Sequence, residues 1–142
     1  MQNTVQVKPD IIWVGGNDRR VNRFENLFPL THGMSYNSYV ILDEKTVLTD
    51  TVDRSISVLF MENVVAALAG RKLDYLVIHH MEPDHCANIE AIVQAYPDIQ
   101  LIGNRNTYKF LTQFYPAYTF DNFITVKEGE ELNLGKRTLR FY

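Results

Sequence analysis

Between positions 79 and 85 the sequence reads His79-His80-Met81-Glu82-Pro83-Asp84-His85, which places three of the chain's four histidines among two carboxylates. Imidazole nitrogen and carboxylate oxygen together suit iron, zinc or manganese. His80 and Glu82 are two positions apart, so an extended turn can aim both at one point. Asp84 and His85 are adjacent and can serve a second point nearby. Pro83 fixes its own φ and stiffens the loop between the two pairs. One short loop could thus offer two ligands to each of two metals. Histidine-rich loops are often merely solvated, and an isolated His-X-Glu means little. The density of donors at a strand end sets this loop apart.

The loop needs a strand before it and a helix after it. Leu73 to His79 is mostly apolar and fits a buried central strand. Cys86 to Tyr96 fits a helix stopped by Pro97. In α/β folds, ligands and catalytic groups collect at the C-terminal ends of strands. Upstream, Ile11 to Val14 reads as a short strand ended by a turn at Gly15-Gly16. A polar loop follows, holding Asp18, Arg19, Arg20 and His32. SYNSYVIL and TVLTDTV flank the polar DEK and read as a β-hairpin. Arg54 to Ala69 carries Ile56, Leu59, Val64, Val65 and Leu68 at roughly a helical period, with Gly70 placed as a C-cap.

Downstream, IQLIG reads as a strand. NTYKFLTQFY reads as a helix with an asparagine for its N-cap. YTFDNFITV, EELNL and KRTLRFY read as three short strands. The order describes a mixed α/β layered sheet that is not purely doubly wound, because it opens with a hairpin. KRTLRFY stops at an apolar residue with no cap or polar tail, an ending that suits part of something longer.

Composition narrows the function classes. The chain has 142 residues, 46% of them hydrophobic, which is enough for one domain with a core. Acidic and basic residues nearly balance (17 against 14), so nucleic acid is a poor first partner. A single cysteine excludes an internal disulfide framework. No apolar run approaches a membrane span, and the polar start MQNTVQVKPD does not read as a signal peptide. A cytoplasmic protein without membrane contact is expected.

The motif H-x-[EH]-x-D-H after a hydrophobic strand resembles the signature loop of the metallo-β-lactamase fold. Hydrolases of that fold usually have His at the second position. Glu82 in that place resembles the flavodiiron proteins, A-type flavoproteins that reduce O2 or NO. The resemblance extends in order through GGNDRR, FENLFPLTHGMSYNSYVILDEKTVLTDTVD, LDYLVIHHMEPDH and EGEELNLGKRTLRFY. That covers nearly the whole chain from about Ile11.

This resemblance implies an α/β fold, the first half of an αββα sandwich, with residues 1–142 as the N-terminal portion of a diiron domain. It implies that His80 and Glu82 bind one iron while Asp84 and His85 bind the other. His79 is not a ligand in the pattern. His32 matches a histidine that lies near the diiron centre and varies in role in the family, so it is placed behind the ligands, although an ordinary loop histidine is an equal reading. No catalytic residue beyond the metal ligands is implied. A harder, anionic oxygen at Glu82 favours iron over zinc.

The family also uses a third histidine, a bridging aspartate and a fourth histidine further along, together with a flavodoxin-like domain carrying FMN. Residues 1–142 contain no histidine after His85. The chain is therefore expected to hold half of a two-iron site and to be inactive alone. The parent protein would reduce O2 to water or NO to N2O as a homodimer. Its electrons would come from FMN, reduced by rubredoxin or a similar carrier.

Two rivals stand beside this reading: a metal-dependent hydrolase of the same fold, and a non-catalytic half-domain that dimerises through an open strand edge. Cys86 is expected to pack rather than to ligate. Trp13 is expected in the core, and Tyr36, Tyr39, Phe24 and Phe28 in the core or an interface.

Overall fold

The computed structural model describes residues 3–142. The chain opens with the antiparallel pair β1 (Val5–Lys8) and β2 (Ile11–Trp13). Next, β3 (Gly16–Asp18) and β6 (Met34–Tyr36) pair around a small hairpin of β4 (Arg23–Phe24) and β5 (Phe28–Pro29). The hairpin β7 (Tyr39–Leu42) and β8 (Thr46–Thr49) follows. A 3-10 turn (Arg54–Ile56) leads into α1 (Ser57–Leu68). Beyond it come β9 (Tyr75–Val77), α2 (Pro83–Cys86), α3 (Ile89–Ala95), β10 (Gln100–Gly103) and α4 (Arg105–Phe114). The last elements are β11 (Phe123–Thr125), β12 (Glu131–Asn133) and β13 (Thr138–Arg140).

Among the described residues, seven strands join in one sheet in the order β1-β2-β7-β8-β9-β10-β11. From β1 to β8 the neighbours are antiparallel, which short turns can connect. From β8 to β11 they are parallel, so each step needs a crossover, and the helices supply it. The layered α/β expectation holds. Because β8 and β9 are parallel neighbours, the residues just after Thr49 and just after Val77 emerge side by side. The site is built there.

Side chains alternate across the sheet and give two apolar layers. Val40, Leu48, Leu76 and Leu101 face the helices, where Phe60, Val64, Ile89, Ile92 and Leu111 complete the main core. Ile41, Val47, Val77 and Ile102 face the other way and pack with Leu134 under the β12–β13 hairpin. That hairpin is tied down by charge. Arg137 pairs with Asp10 through its guanidinium, and the Lys136 and Arg137 amides donate to the Asp43 carboxylate at 3.1 and 2.7 Å.

The structure corrects several local expectations. The polar N-terminal stretch contains β1, whose residues are all exposed, so no one-sided alternation marks it. The polar loop after Gly16 holds three short strands, β3, β4 and β5, which belong to two short ladders. Gly15-Gly16 is not a turn: a Cβ on Gly15 would lie 2.0 Å from the Tyr36 carbonyl oxygen, so glycine permits β6 to approach. In α1, Val65 is exposed while Phe60 is fully buried. The helix ends as expected, with Ala69 and Gly70 both at positive φ. Trp13 is half-buried, its indole donating to the Asn37 side chain at 3.0 Å, and Phe28 is exposed.

The helix expected from Cys86 to Tyr96 is divided, and it begins earlier, at Pro83. Asn88 breaks it by turning its side-chain amide to the Val52 carbonyl at 2.6 Å. Among the described residues no helix is long and apolar enough to cross a membrane.

Candidate metal centre

Two strand ends build the centre. After β8, Asp50 takes a left-handed conformation with φ +53, while its amide donates to the Val77 carbonyl at 2.8 Å. Aspartate tolerates this conformation better than most residues. After β9, the chain passes through His79, His80 and Met81 to Glu82, the residue that caps α2. Pro83 occupies the first turn of α2, where its missing N–H costs nothing. The His85 and Cys86 amides both donate to the Glu82 carbonyl at 2.9 Å. Asp84 and His85 therefore project from a helical turn, and His80 and Glu82 from the extended segment before it.

Glu82 lies close to His80 and Asp84 close to His85, and the two pairs are neighbours. His80 Nε2 stands 3.4 Å from Glu82 Oε2, and His85 Nε2 stands 3.4 Å from Asp84 Oδ2. The His80 and His85 rings meet edge-on with centroids 4.6 Å apart. Two donors each about 2.1 Å from one ion, at angles between square and tetrahedral, are about 3.0–3.4 Å apart, so both pairs have the spacing of a shared cation. Asp84 Oδ1 and His85 Nδ1 are buried with no hydrogen-bond partner among the described residues. Buried polar atoms without partners are costly: a cation held at the Asp84 carboxylate is one way to satisfy Oδ1, while His85 Nδ1 faces Asp50 Oδ2 at 3.6 Å. The donor set fits a metal on these grounds.

A further residue enters the cluster. One donor atom each from Asp50, His80 and His85 lies within 4.8 Å of the others, giving a partial set of two histidines and one carboxylate. Asp50 is also the partner of His79, accepting from the His79 backbone amide and from its Nδ1, both at 2.8 Å. That ring hydrogen bond holds the His79 pKa above its ordinary value, against the opposing effect of burial. Sequence reading missed Asp50, which lies 29 positions upstream of His79.

The surroundings are unequal. The Asp50, Asp84 and His85 side chains are only 10%, 15% and 21% exposed, against 43% for His80 and 66% for Glu82. One half of the cluster is therefore sheltered while the other faces an open cleft of about 320 Å³, walled by Asn104, Thr107, Phe110 and Phe114. Cys86 is buried and donates its thiol to the Met81 carbonyl at 3.3 Å. Burial, helped by Asp84, Asp50 and Glu82, pushes that thiol up to about 11, which suits packing and not ligation. His32 is exposed and lines a separate surface pocket with Arg19 and Thr31.

The ODP family beta lactamase description matches residues 34–142, and the chain belongs to that family. It is 37% identical over 135 residues to the anaerobic nitric oxide reductase flavorubredoxin of Pectobacterium atrosepticum, a match covering 93% of this chain and 26% of that protein. It is 36% identical over 146 residues to the nitric oxide reductase of Moorella thermoacetica, covering 99% of this chain and 35% of that one. The solved rubredoxin oxygen:oxidoreductase of Desulfovibrio gigas superposes with a TM-score of 0.92 at 30% identity, covering 99% of this chain and 35% of the other. The fold is that of the flavodiiron proteins, and the match is to their N-terminal portion. The chain spans about a quarter to a third of the length of these relatives.

Proposed function

We propose that this chain supplies the first half of the non-haem diiron centre of a flavodiiron oxidoreductase that reduces O2 to water or NO to N2O. The observation that carries the reading is the side-by-side pairing of His80 with Glu82 and His85 with Asp84, each at 3.4 Å. His80 and Glu82 would hold one iron, and Asp84 and His85 the other, with Asp50 behind them. Bound ferrous ions would supply the electrons and the binding positions for the gas. The chain's own part is to fix the four donors, to shelter the His85 side from water, and to leave the Glu82 side open to an electron donor.

The names of the relatives support this substrate class: two are nitric oxide reductases and one a rubredoxin oxygen:oxidoreductase. Residues 1–142 would be the N-terminal portion of the metal domain, with the flavodoxin-like FMN domain elsewhere in the working protein. Electrons would then arrive from FMN and a rubredoxin-like carrier in a cytoplasmic homodimer. His32 would act near the centre without binding metal. With half of the ligands, this chain alone would not turn over.

Elemental analysis of protein purified anaerobically tests the reading. Iron near two per chain supports it, with ligands completed by a second chain or a partner. Zinc with esterase or lactamase activity would support the hydrolase instead. The absence of any bound metal under excess ferrous ion would defeat both.

A further inference from the structure

We propose that His79, the histidine outside the expected ligand set, is the positioning residue of the centre: it clamps Asp50, and through Asp50 it sets which nitrogen of His85 faces the metal. The inference rests on reading this cluster as a metal site.

The clamp is visible in the hydrogen bonds. The His79 amide donates to Asp50 Oδ1 and the His79 ring to Asp50 Oδ2, both at 2.8 Å. An ionised carboxylate only accepts, so His79 carries its ring proton on Nδ1. Asp50 is therefore held at both oxygens by a single residue. This matters because Asp50 sits at φ +53, where nothing in regular strand pairing orients its side chain. Fixed in this way, Oδ2 also stands 3.6 Å from Nδ1 of His85.

That His85 nitrogen is buried and has no hydrogen-bond partner among the described residues. A separation of 3.6 Å is too long for a hydrogen bond, yet a carboxylate oxygen this close makes Nδ1 the favoured place for the imidazole proton. A proton on Nδ1 leaves the lone pair on Nε2, and Nε2 is the atom turned towards Asp84 Oδ2 at 3.4 Å. A carboxylate behind a ligating histidine fixes both tautomer and ring orientation. Here the carboxylate is itself fixed by the neighbouring histidine of the same loop. The sheltered half of the centre is thus set before a metal arrives.

The test begins on the metal-free 142-residue chain, with NMR correlation of the ring nitrogens and their protons at mildly alkaline pH. His79 and His85 should both appear as the Nδ1–H tautomer. In His79→Ala, His85 should drift towards the Nε2–H form that an isolated imidazole prefers. In His79→Asn, whose amide nitrogen stands near the place of Nδ1, the Nδ1–H form of His85 should return. Anaerobic titration with ferrous ion should then show affinity about 10–100-fold weaker for His79→Ala and largely recovered for His79→Asn. A merely structural role would give no such rescue.

An Nε2–H tautomer of His85 in the unmodified chain would overturn the proposal. So would a His79→Ala chain with the original tautomer and the original affinity. If His79→Ala fails to fold, the His79→Asn spectra carry the decision. If the unmodified chain takes up no iron, the metal-site reading fails, while the ring-nitrogen spectra still decide the clamp.

Discussion

Thr51 holds the His85 carbonyl twice: its backbone amide donates at 2.9 Å and its hydroxyl at 2.8 Å. The same hydroxyl accepts from the Asn88 amide at 3.3 Å. One fully buried threonine just beyond β8 thus ties down the short helix that presents Asp84 and His85. Thr51→Val keeps the shape and removes the hydroxyl, leaving a buried amide without its acceptor. It should lower stability by about 1–3 kcal/mol, and Thr51→Ser should recover most of that. Urea unfolding of the three proteins checks this, and equal midpoints for threonine and valine would contradict it.

Metal should stabilise the chain, because the clustered donors exist together only in the folded state. At a ferrous concentration a hundredfold above Kd the gain is about 2.7 kcal/mol. For a domain of this size that raises Tm by roughly 5–15 °C. Chelator should reverse the rise, and a His80→Ala, His85→Ala double variant should not show it. An unchanged Tm under saturating ferrous ion would count against the centre.

Acid should loosen the β12–β13 hairpin before it disturbs the helices. The Arg137 hydrogen bond and charge hold the Asp10 carboxyl below its ordinary 3.8. For Asp43, burial pushes the pKa up, but hydrogen bonds from the Lys136, Glu44 and Arg137 amides outweigh it, and the net shift is downward. A group with a lowered folded pKa contributes stability above its unfolded value and loses it as pH falls through the folded value. The contribution should therefore be intact at neutral pH and fade below about pH 4. Arg137→Ala should flatten that acid dependence. Identical acid transitions for the two proteins would refute the latch.

Cys86 should be slow to react in the native chain. With its thiol pushed up to about 11 and buried, little thiolate is present at mildly alkaline pH. A thiol reagent should label it quickly only after denaturation, and Cys86→Ala should bind ferrous ion as the unmodified chain does. A tenfold loss of metal affinity in Cys86→Ala would make the thiol part of the site.

Leu76 is fully buried in β9, between Leu48 of β8 and Leu101 of β10 in register. Leu76→Ala should cost about 2–5 kcal/mol, the range for a large cavity in a packed core. Because β9 aims His79 and His80, metal affinity should fall with stability in this variant. Chemical denaturation and ferrous titration together would expose any separation of the two.

The seven-residue donor loop was legible because its donors are contiguous, so their clustering needs no tertiary information. The strand before it was legible because burial on both faces makes Leu73 to Ile78 a nearly unbroken apolar run. Asp50 was not legible. TVLTDTV contains an aspartate where a strand ends, and turn aspartates are common there. Its place in the centre comes from the parallel pairing of β8 with β9 and from a left-handed residue, neither of which leaves a local mark. β1 was hidden for the opposite reason, since Val5 and Val7 remain about half exposed and show no buried face. The division of the helix after Cys86 depended on Asn88 finding the Val52 carbonyl, a contact across 36 positions.

The crossover through α1 also has a kinetic meaning. The carboxylate of Asp50 and the imidazoles of the loop come from strands that are neighbours only once the intervening helix has folded back onto the sheet. Closing a loop of that length has an entropic cost, recovered only when β8 and β9 dock. The half-centre therefore cannot assemble ahead of its scaffold. Slow amide exchange at His79, whose N–H is held by Asp50, would act as a local clock for that docking. Any event that parts the two strands would separate the carboxylate from its histidines and release a bound ion in the same step.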